Sequence, residues 1–302
     1  MPTVLLTGAT GYVGGRLAPR LAGAADASDG AELRLMMRRP DPAKAPAGAR
    51  VRVVQGDAVS GEGVAAALDG VDVAYYLIHS MGRGGGADFE ARDRRAAAGF
   101  GRAAAAAGVR RVIYLGGLSS EDASSAHLRS RDEVAELLGE HVPEFVHVRA
   151  AMVIGAGSAS FQMLRALVRR LPAMICPRWI DTRTQPIAID DVVAALAQVG
   201  ARHDVTGDVQ LGGPAPLTYR AMMDRTADAM GRRHPLVVRV PVLTPRLSSY
   251  WVQLVTPVEA ALVRPLVDGL REEMLVHEPP PPGINAAPRD FDAAVRSALD
   301  GR

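Results

Sequence analysis

The sequence predicts an α/β protein: a doubly wound parallel sheet followed by a smaller, mostly helical C-terminal lobe. Three observations carry this. Short apolar runs rich in β-branched residues alternate with helix-length stretches from Thr3 to Arg149. The first run leads directly into glycines at three-residue spacing, Gly8, Gly11 and Gly14. Beyond Arg149 the alternation gives way to Pro-punctuated, apolar sequence with helical periodicity. Regular alternation of strands and helices is the pattern of right-handed crossovers and a parallel sheet. The expected division is 1–155 for the sheet domain and 156–302 for the lobe, with one or two strands of the lobe returning to the sheet.

The elements follow in order. Residues 3–7 lack the basic start and long apolar core of a signal peptide and read as a buried strand. A helix is expected over 12–22, strands at 33–37 and 51–54, a helix near 60–68 and a strand over 71–78. A Gly-rich loop at 82–86 then opens a long helix over 88–107, followed by a strand at 112–115, a helix over 129–139 and a strand at 145–148. Six strands in this rhythm match the Rossmann type of doubly wound fold. In the lobe, a helix over 159–171 precedes Pro186-Ile187-Ala188-Ile189 and a helix starting at Asp190-Asp191, either of which suits an N-terminal cap. A further strand at 209–211, amphipathic helices near 244–255 and 257–276, and a last helix over 289–299 complete the reading.

Composition narrows the function. At 302 residues the chain can bury one large α/β domain with an appended lobe, and 48% hydrophobic against 23% charged residues is globular. A formal charge of +2 argues against a nucleic-acid partner. The single cysteine, Cys176, excludes an intramolecular disulfide and fits a reducing cytoplasm. The longest apolar stretch, 251–267, is broken by Gln253, Glu259 and Arg264, so no membrane span is expected. No His/Cys/Asp cluster has ligand spacing, and no metal is expected. The chain should act on a small molecule as a monomer or homodimer.

The glycines carry the chemistry. A strand, a tight turn and a helix whose N-terminal amides face an anion form a dinucleotide site. Gly8 would permit the turn, Gly11 would let the backbone approach a pyrophosphate, and Gly14 would let the helix pack closely on the sheet. Strand two ends in Arg38-Arg39, where an NAD-selective site places a carboxylate on the ribose hydroxyls. An arginine fork there suits a 2′-phosphate, which points to NADP(H), with NADPH favoured over NADH. The plain alternative is a solvated strand end.

Gly8, Gly11 and Gly14, Asp57 after strand three, and Pro186-Ile187-Ala188-Ile189-Asp190-Asp191-Val192 together resemble the extended and atypical short-chain dehydrogenases/reductases. Tyr76-Leu77-Ile78-His79, His127-Leu128-Arg129-Ser130-Arg131, the stretch from Arg149 to Ala159, and Pro177-Arg178-Trp179 narrow this. They resemble the NmrA-like, YbjT-type subgroup of bacterial NAD(P)-binding proteins over nearly the whole chain. The resemblance implies that Gly8, Thr10, Gly11, Tyr12 and Val13 hold the pyrophosphate, Arg38 sits at the adenosine ribose, and Asp57 hydrogen-bonds the adenine amine.

The catalytic side departs from the family. Its reductases use Tyr-x-x-x-Lys, yet Lys44, after strand two, is the only lysine here. His127 and Arg131 stand at the matching positions, four apart and on one helical face. The family serine aligns with Gly117, near Ser119 and Ser120. Either His127 donates the proton, Arg131 binds ribose, and Ser119 or His79 orients a carbonyl, or His127 is a surface residue and Arg131 only binds cofactor. His79 ends a parallel strand, where open α/β sheets bind ligands. Tyr75, Tyr76 and Tyr114 read as packing residues. The expected activity is reduction of an apolar carbonyl, enone or quinone, in a lobe where Met163, Trp179, Met222, Trp251 and Leu254 would line a pocket. The alternatives are a non-catalytic dinucleotide sensor and a cofactor-assisted isomerase, epimerase or cyclase.

Overall fold

In the computed structural model, which describes residues 2–27, 31–48, 50–79, 87–118, 126–239 and 260–301, strand β1 (Thr3–Thr7) is the hub of the sheet. Its apolar run is explained by burial on both faces. Leu6 packs into the core under α1 (Tyr12–Asp26), whereas Leu5 packs into the core on the opposite side, and both are fully buried. β1 pairs in parallel with β2 (Glu32–Met37) and with β4 (Val73–Tyr76). With β3 (Val51–Gln55), β5 (Arg111–Gly117), β6 (Glu144–Ala150) and the late strand β11 (Gly207–Leu211), they form a seven-stranded parallel sheet of order β11-β6-β5-β4-β1-β2-β3. The chain reverses direction of winding between β1 and β4, the place where open α/β sheets leave a crevice.

The long helices α3 (Ala87–Ala106) and α4 (Ala126–Gly139) pack together on one face; α2 (Val64–Leu68) is only a short turn of helix on that side. α1 and α6 (Ile189–Ala201) pack on the other. The helix starting at Asp190-Asp191 begins one residue earlier than expected, and neither aspartate is its cap. Ala188 stands at the N-cap without a side-chain bond. Asp190 instead accepts from Arg289 Nη1 at 2.8 Å and Asp191 from the Arg289 amide at 2.8 Å, tying the C-terminal segment across the start of α6.

The C-terminal part packs around α5 (Ala159–Arg170), capped by Ser158, and α7 (Tyr219–Ala229), capped by Thr218. α8 (Ala260–Gly269) and α9 (Phe291–Leu299) complete it. The expected helix at 257–276 is thus shorter, because the chain turns at Leu270 and runs back to Met274, which bridges to Thr184. The expected helix at 244–255 lies outside the described residues. Three two-stranded ribbons were not anticipated: β7 (Val153–Ile154) with β10 (Ile187–Ala188), β9 (Arg183–Thr184) with β12 (Leu217–Thr218), and β8 (Ala173–Cys176) with β13 (Leu236–Arg239).

The return of β11 to the sheet brings Asp208 beside His147 and Arg149. Asp208 accepts from Arg149 Nη1 at 2.8 Å and lies 3.4 Å from His147 Nδ1, and Arg149 Nη2 reaches Asp132 on α4 at 2.9 Å. The His147 hydrogen bond first, and the Arg149 guanidinium with it, hold the Asp208 carboxyl down at about 2. A depressed carboxyl stabilises the fold above its unfolded pKa of about 3.9, and loses that contribution as pH falls toward about 2. Urea midpoints of the wild type should therefore fall across that acid window more steeply than those of Asp208→Asn. Parallel profiles would contradict the assignment.

Candidate active site

The C-terminal ends of β1, β4 and β5 border the crevice. Thr7, fully buried, pins the edge: its Oγ1 donates to Tyr75 O at 3.0 Å and accepts from Leu77 N at 3.1 Å. The chain then turns at Gly8 with φ +69°, a conformation favouring glycine, and a Cβ there would stand 2.5 Å from Leu77 O. Gly11 N donates to Gly8 O at 2.9 Å, and the first bond of α1 runs from Gly15 N to Gly11 O at 2.8 Å. The amides of Tyr12, Val13 and Gly14 precede that bond, and Gly11 offers no side-chain cap. A Cβ on Gly14 would sit 2.3 Å from Gly8 O, so α1 approaches the turn as closely as backbone allows. Bare helix-start amides around an open backbone turn fit a pyrophosphate.

Tyr12 is held by two glycines of the Arg149–Ala159 stretch, Gly155 and Gly157. A Cβ on Gly157 would lie 2.5 Å from the Tyr12 ring, and one on Gly155 would lie 2.0 Å from its hydroxyl. Arg16 covers the same ring, 5.0 Å from its centroid.

Gly8, Gly11, Tyr12, Val13 and Gly14 form one wall of a cavity of about 510 Å³. His79, exposed after β4, and Arg131, half-buried on α4, also border it, together with Gly116 and Gly117 at the end of β5. The other walls come from the C-terminal part and are mostly apolar, including Met163, Leu164, Trp179, Met223 and Leu270. Met222, expected in this lining, is instead fully buried in the core, and its neighbour Met223 reaches the cavity. Tyr219 and Trp179 meet edge to face, with ring centroids 6.2 Å apart. Both line the cavity, and Tyr219 Oη and Trp179 Nε1 are buried without a hydrogen-bond partner among the described residues. Burial raises the Tyr219 pKa, so its phenol stays protonated and remains a donor.

Arg131 does more than the sequence suggested. Its Nη1 donates to the Tyr114 hydroxyl at 3.2 Å, so Tyr114 on β5 positions a cavity cation as well as packing. Burial works against the Arg131 charge, but Tyr114, Asp93 and Tyr76 outweigh it and raise its pKa. Burial also raises the Tyr114 pKa, despite the opposing arginine. Tyr114 in turn stacks on His147, with centroids 5.2 Å apart.

Thr10, Arg38 and Asp57 do not border this cavity. Thr10 is exposed in the turn, and Arg38 is exposed one residue beyond β2. Asp57 organises the loop after β3, accepting from Val59 N at 2.8 Å. The β2–β3 pairing of Met37 with Gln55 places Arg38 and Asp57 on neighbouring strand ends, alongside the Gly8 turn. His127 lies one turn before Arg131 in α4; its side chain, Ser119, Trp251 and Leu254 lie outside the described residues. Cys176 is buried. Among the described residues, no group of His, Cys, Asp and Glu is arranged to hold a metal, and no helix is long and apolar enough to cross a membrane.

A family model described as NAD(P)H-binding matches residues 8–153. A relative from Streptomyces griseus subsp. griseus, a (4-alkanoyl-5-oxo-2,5-dihydrofuran-3-yl)methyl phosphate reductase, is 30% identical over 238 residues, covering 76% of this chain and 74% of the relative. Among solved structures, the Citrobacter sp. triphenylmethane reductase complexed with NADP(H) superposes with a TM-score of 0.75 at 19% identity, covering 98% of this chain and 100% of that one. A nucleoside-diphosphate-sugar epimerase from Staphylococcus aureus gives 0.72 at 18% identity, covering 97% and 99%. At such identities these two structures speak for the fold alone.

Proposed function

The chain belongs to the NAD(P)H-binding family of NmrA-like, atypical short-chain dehydrogenases/reductases, and from that premise we propose that it is an NADPH-dependent reductase of an apolar carbonyl, enone or quinone. One observation carries the reading: the Gly8–Gly14 turn and an apolar wall with two buried, unpartnered donors border the same cavity. The Streptomyces griseus relative is named as a reductase of an alkanoyl-oxo-dihydrofuran methyl phosphate, and the conjugated alkanoyl-dihydrofuran part of such an acceptor suits this wall.

When bound, NADPH supplies the hydride. The chain's residues do the rest. The glycine turn and the amides opening α1 hold the pyrophosphate, Arg38 takes the 2′-phosphate, Asp57 the adenine and Arg131 the nicotinamide ribose. Met163, Leu164 and Met223 keep water from the acceptor, which strengthens each polar contact made inside. Trp179 Nε1 and Tyr219 Oη, buried behind this wall without partners, become donors to an acceptor oxygen once a side-chain rotation turns them into the cavity, and would then stabilise the charge that develops there. His127, one turn from Arg131, supplies the proton, with His79 or Ser119 orienting the carbonyl.

NADPH oxidation measured against a panel of quinones, enones and ketones tests the reading. Turnover with at least one apolar member is expected. His127→Ala should lower it by roughly 10²-fold, and wild-type activity should fall as rising pH deprotonates the imidazole. A fully active His127→Ala variant with an unchanged pH profile would move the proton donor to His79. Tight binding without turnover across the panel would overturn the reductase reading in favour of a dinucleotide sensor.

A further inference from the structure

The β8–β13 ribbon carries an apolar face that the cavity does not use. Among the described residues four large hydrophobic side chains are exposed, and three of them, Ile175 at 58%, Leu236 at 65% and Val238 at 49%, belong to this ribbon. The parallel register sets Ile175 opposite Val238 and Leu236 opposite Ala173. Side chains alternate along strands, so these four share the outer face, while Met174 and Cys176 turn inward to the core beside the cavity. None of the eight ribbon residues borders the cavity itself.

The start of this face is cationic. Arg169 and Arg170 precede β8, Arg232 and Arg233 precede β13, and all four are exposed. Arg232 Nη1 donates to Arg169 O at 2.8 Å, which holds the two pairs together at the start of both strands. Arg239 stands exposed at the far end. The nearby acids are engaged: Asp181 with Arg239 at 2.8 Å, and Asp228 with His234 at 2.8 Å. A second copy laid on this face with its strands running the same way would bring arginines against arginines. An apolar strip beside a cluster of cations instead matches the layering of an anionic lipid interface, acyl chains beneath phosphate.

We propose that the outer face of the β8–β13 ribbon docks on an anionic membrane surface. Ile175, Leu236 and Val238 enter the headgroup boundary, and Arg169, Arg170, Arg232 and Arg233 meet lipid phosphate. The apolar core behind the ribbon, which also walls the cavity, then lies next to the bilayer.

Flotation of the full chain with phosphatidylglycerol/phosphatidylcholine vesicles, and with pure phosphatidylcholine, tests this. The protein should float with the anionic vesicles at low salt and stay behind with the neutral ones or at high salt. Each arginine at an anionic surface adds roughly five-fold to binding, so Arg232→Glu/Arg233→Glu should weaken flotation by roughly 25-fold or more. Ile175→Ser/Leu236→Ser/Val238→Ser should abolish it. NADPH affinity, measured in parallel, should be unchanged in both variants and reports that they fold. The proposal is overturned if the wild type ignores anionic vesicles, or if it floats equally well with both sets of residues replaced. A concentration-dependent dimer lost on replacing the three aliphatic residues would also overturn it, by placing a second copy on this face.

Discussion

Gly14→Ala is expected to abolish NADPH binding, raising the dissociation constant by roughly 10²-fold or more, which is about 3 kcal/mol. The reason is the 2.3 Å that would separate an added Cβ from Gly8 O, with Gly8 C at 2.8 Å. Both obstacles are backbone, so α1 must move off the turn, and the amides that would face a pyrophosphate move with it. Gly15→Ala supplies the control. Its Cβ would meet Ala9 O at 3.4 Å, an ordinary contact, and affinity should be retained. Gly11→Val separates binding from folding: the Cβ would approach only Gly8 O at 3.1 Å, but its methyls would fill the exposed space in front of the turn. Calorimetric titration should show a folded protein that does not bind. Wild-type affinity in Gly11→Val and Gly14→Ala would remove the pyrophosphate from this turn.

Arg38→Ala is expected to cost roughly 10- to 10²-fold in NADPH affinity, the range of one or two charge-assisted hydrogen bonds to phosphate, while NADH affinity stays level. Arg38 is exposed at the strand end beside the glycine turn, free of the carboxylate that would repel a 2′-phosphate at that position. Titration of wild type and variant with both nucleotides decides it. Equal wild-type affinities for NADPH and NADH would contradict the assignment.

The sheet was legible because five of its first six strands are largely buried, mostly apolar runs, and the half-exposed edge strand β3 is still marked by Val51, Val53 and Val54. Leu5 and Leu6 feed opposite cores, which leaves no alternation to confuse with an exposed strand. The ribbons were not legible because their strands are only two to four residues long and owe their existence to pairing. Asp190 and Asp191 misled for a related reason. Acids at a helix start suit a cap or a first turn equally, and what decides between them is Arg289, far along the chain. The glycine turn could be read from spacing alone. The cradle of Gly155 and Gly157 around Tyr12, the Thr7 bonds to β4, and the grip of Tyr114 on Arg131 join distant segments through single contacts, and no local pattern announces them.

One cavity is expected to bring a dinucleotide and an apolar acceptor into contact, so that hydride passes directly between them. The most direct measurement uses NADPH carrying deuterium at its transferable position, with an enone or quinone that the protein turns over, followed by mass spectrometry of the product. For an enone, one deuterium is expected on carbon in the reduced product, and none at that carbon when the label is placed in the solvent instead. Product formed with solvent hydrogen at that carbon, or NADPH that binds tightly and is never oxidised by any acceptor, would contradict it.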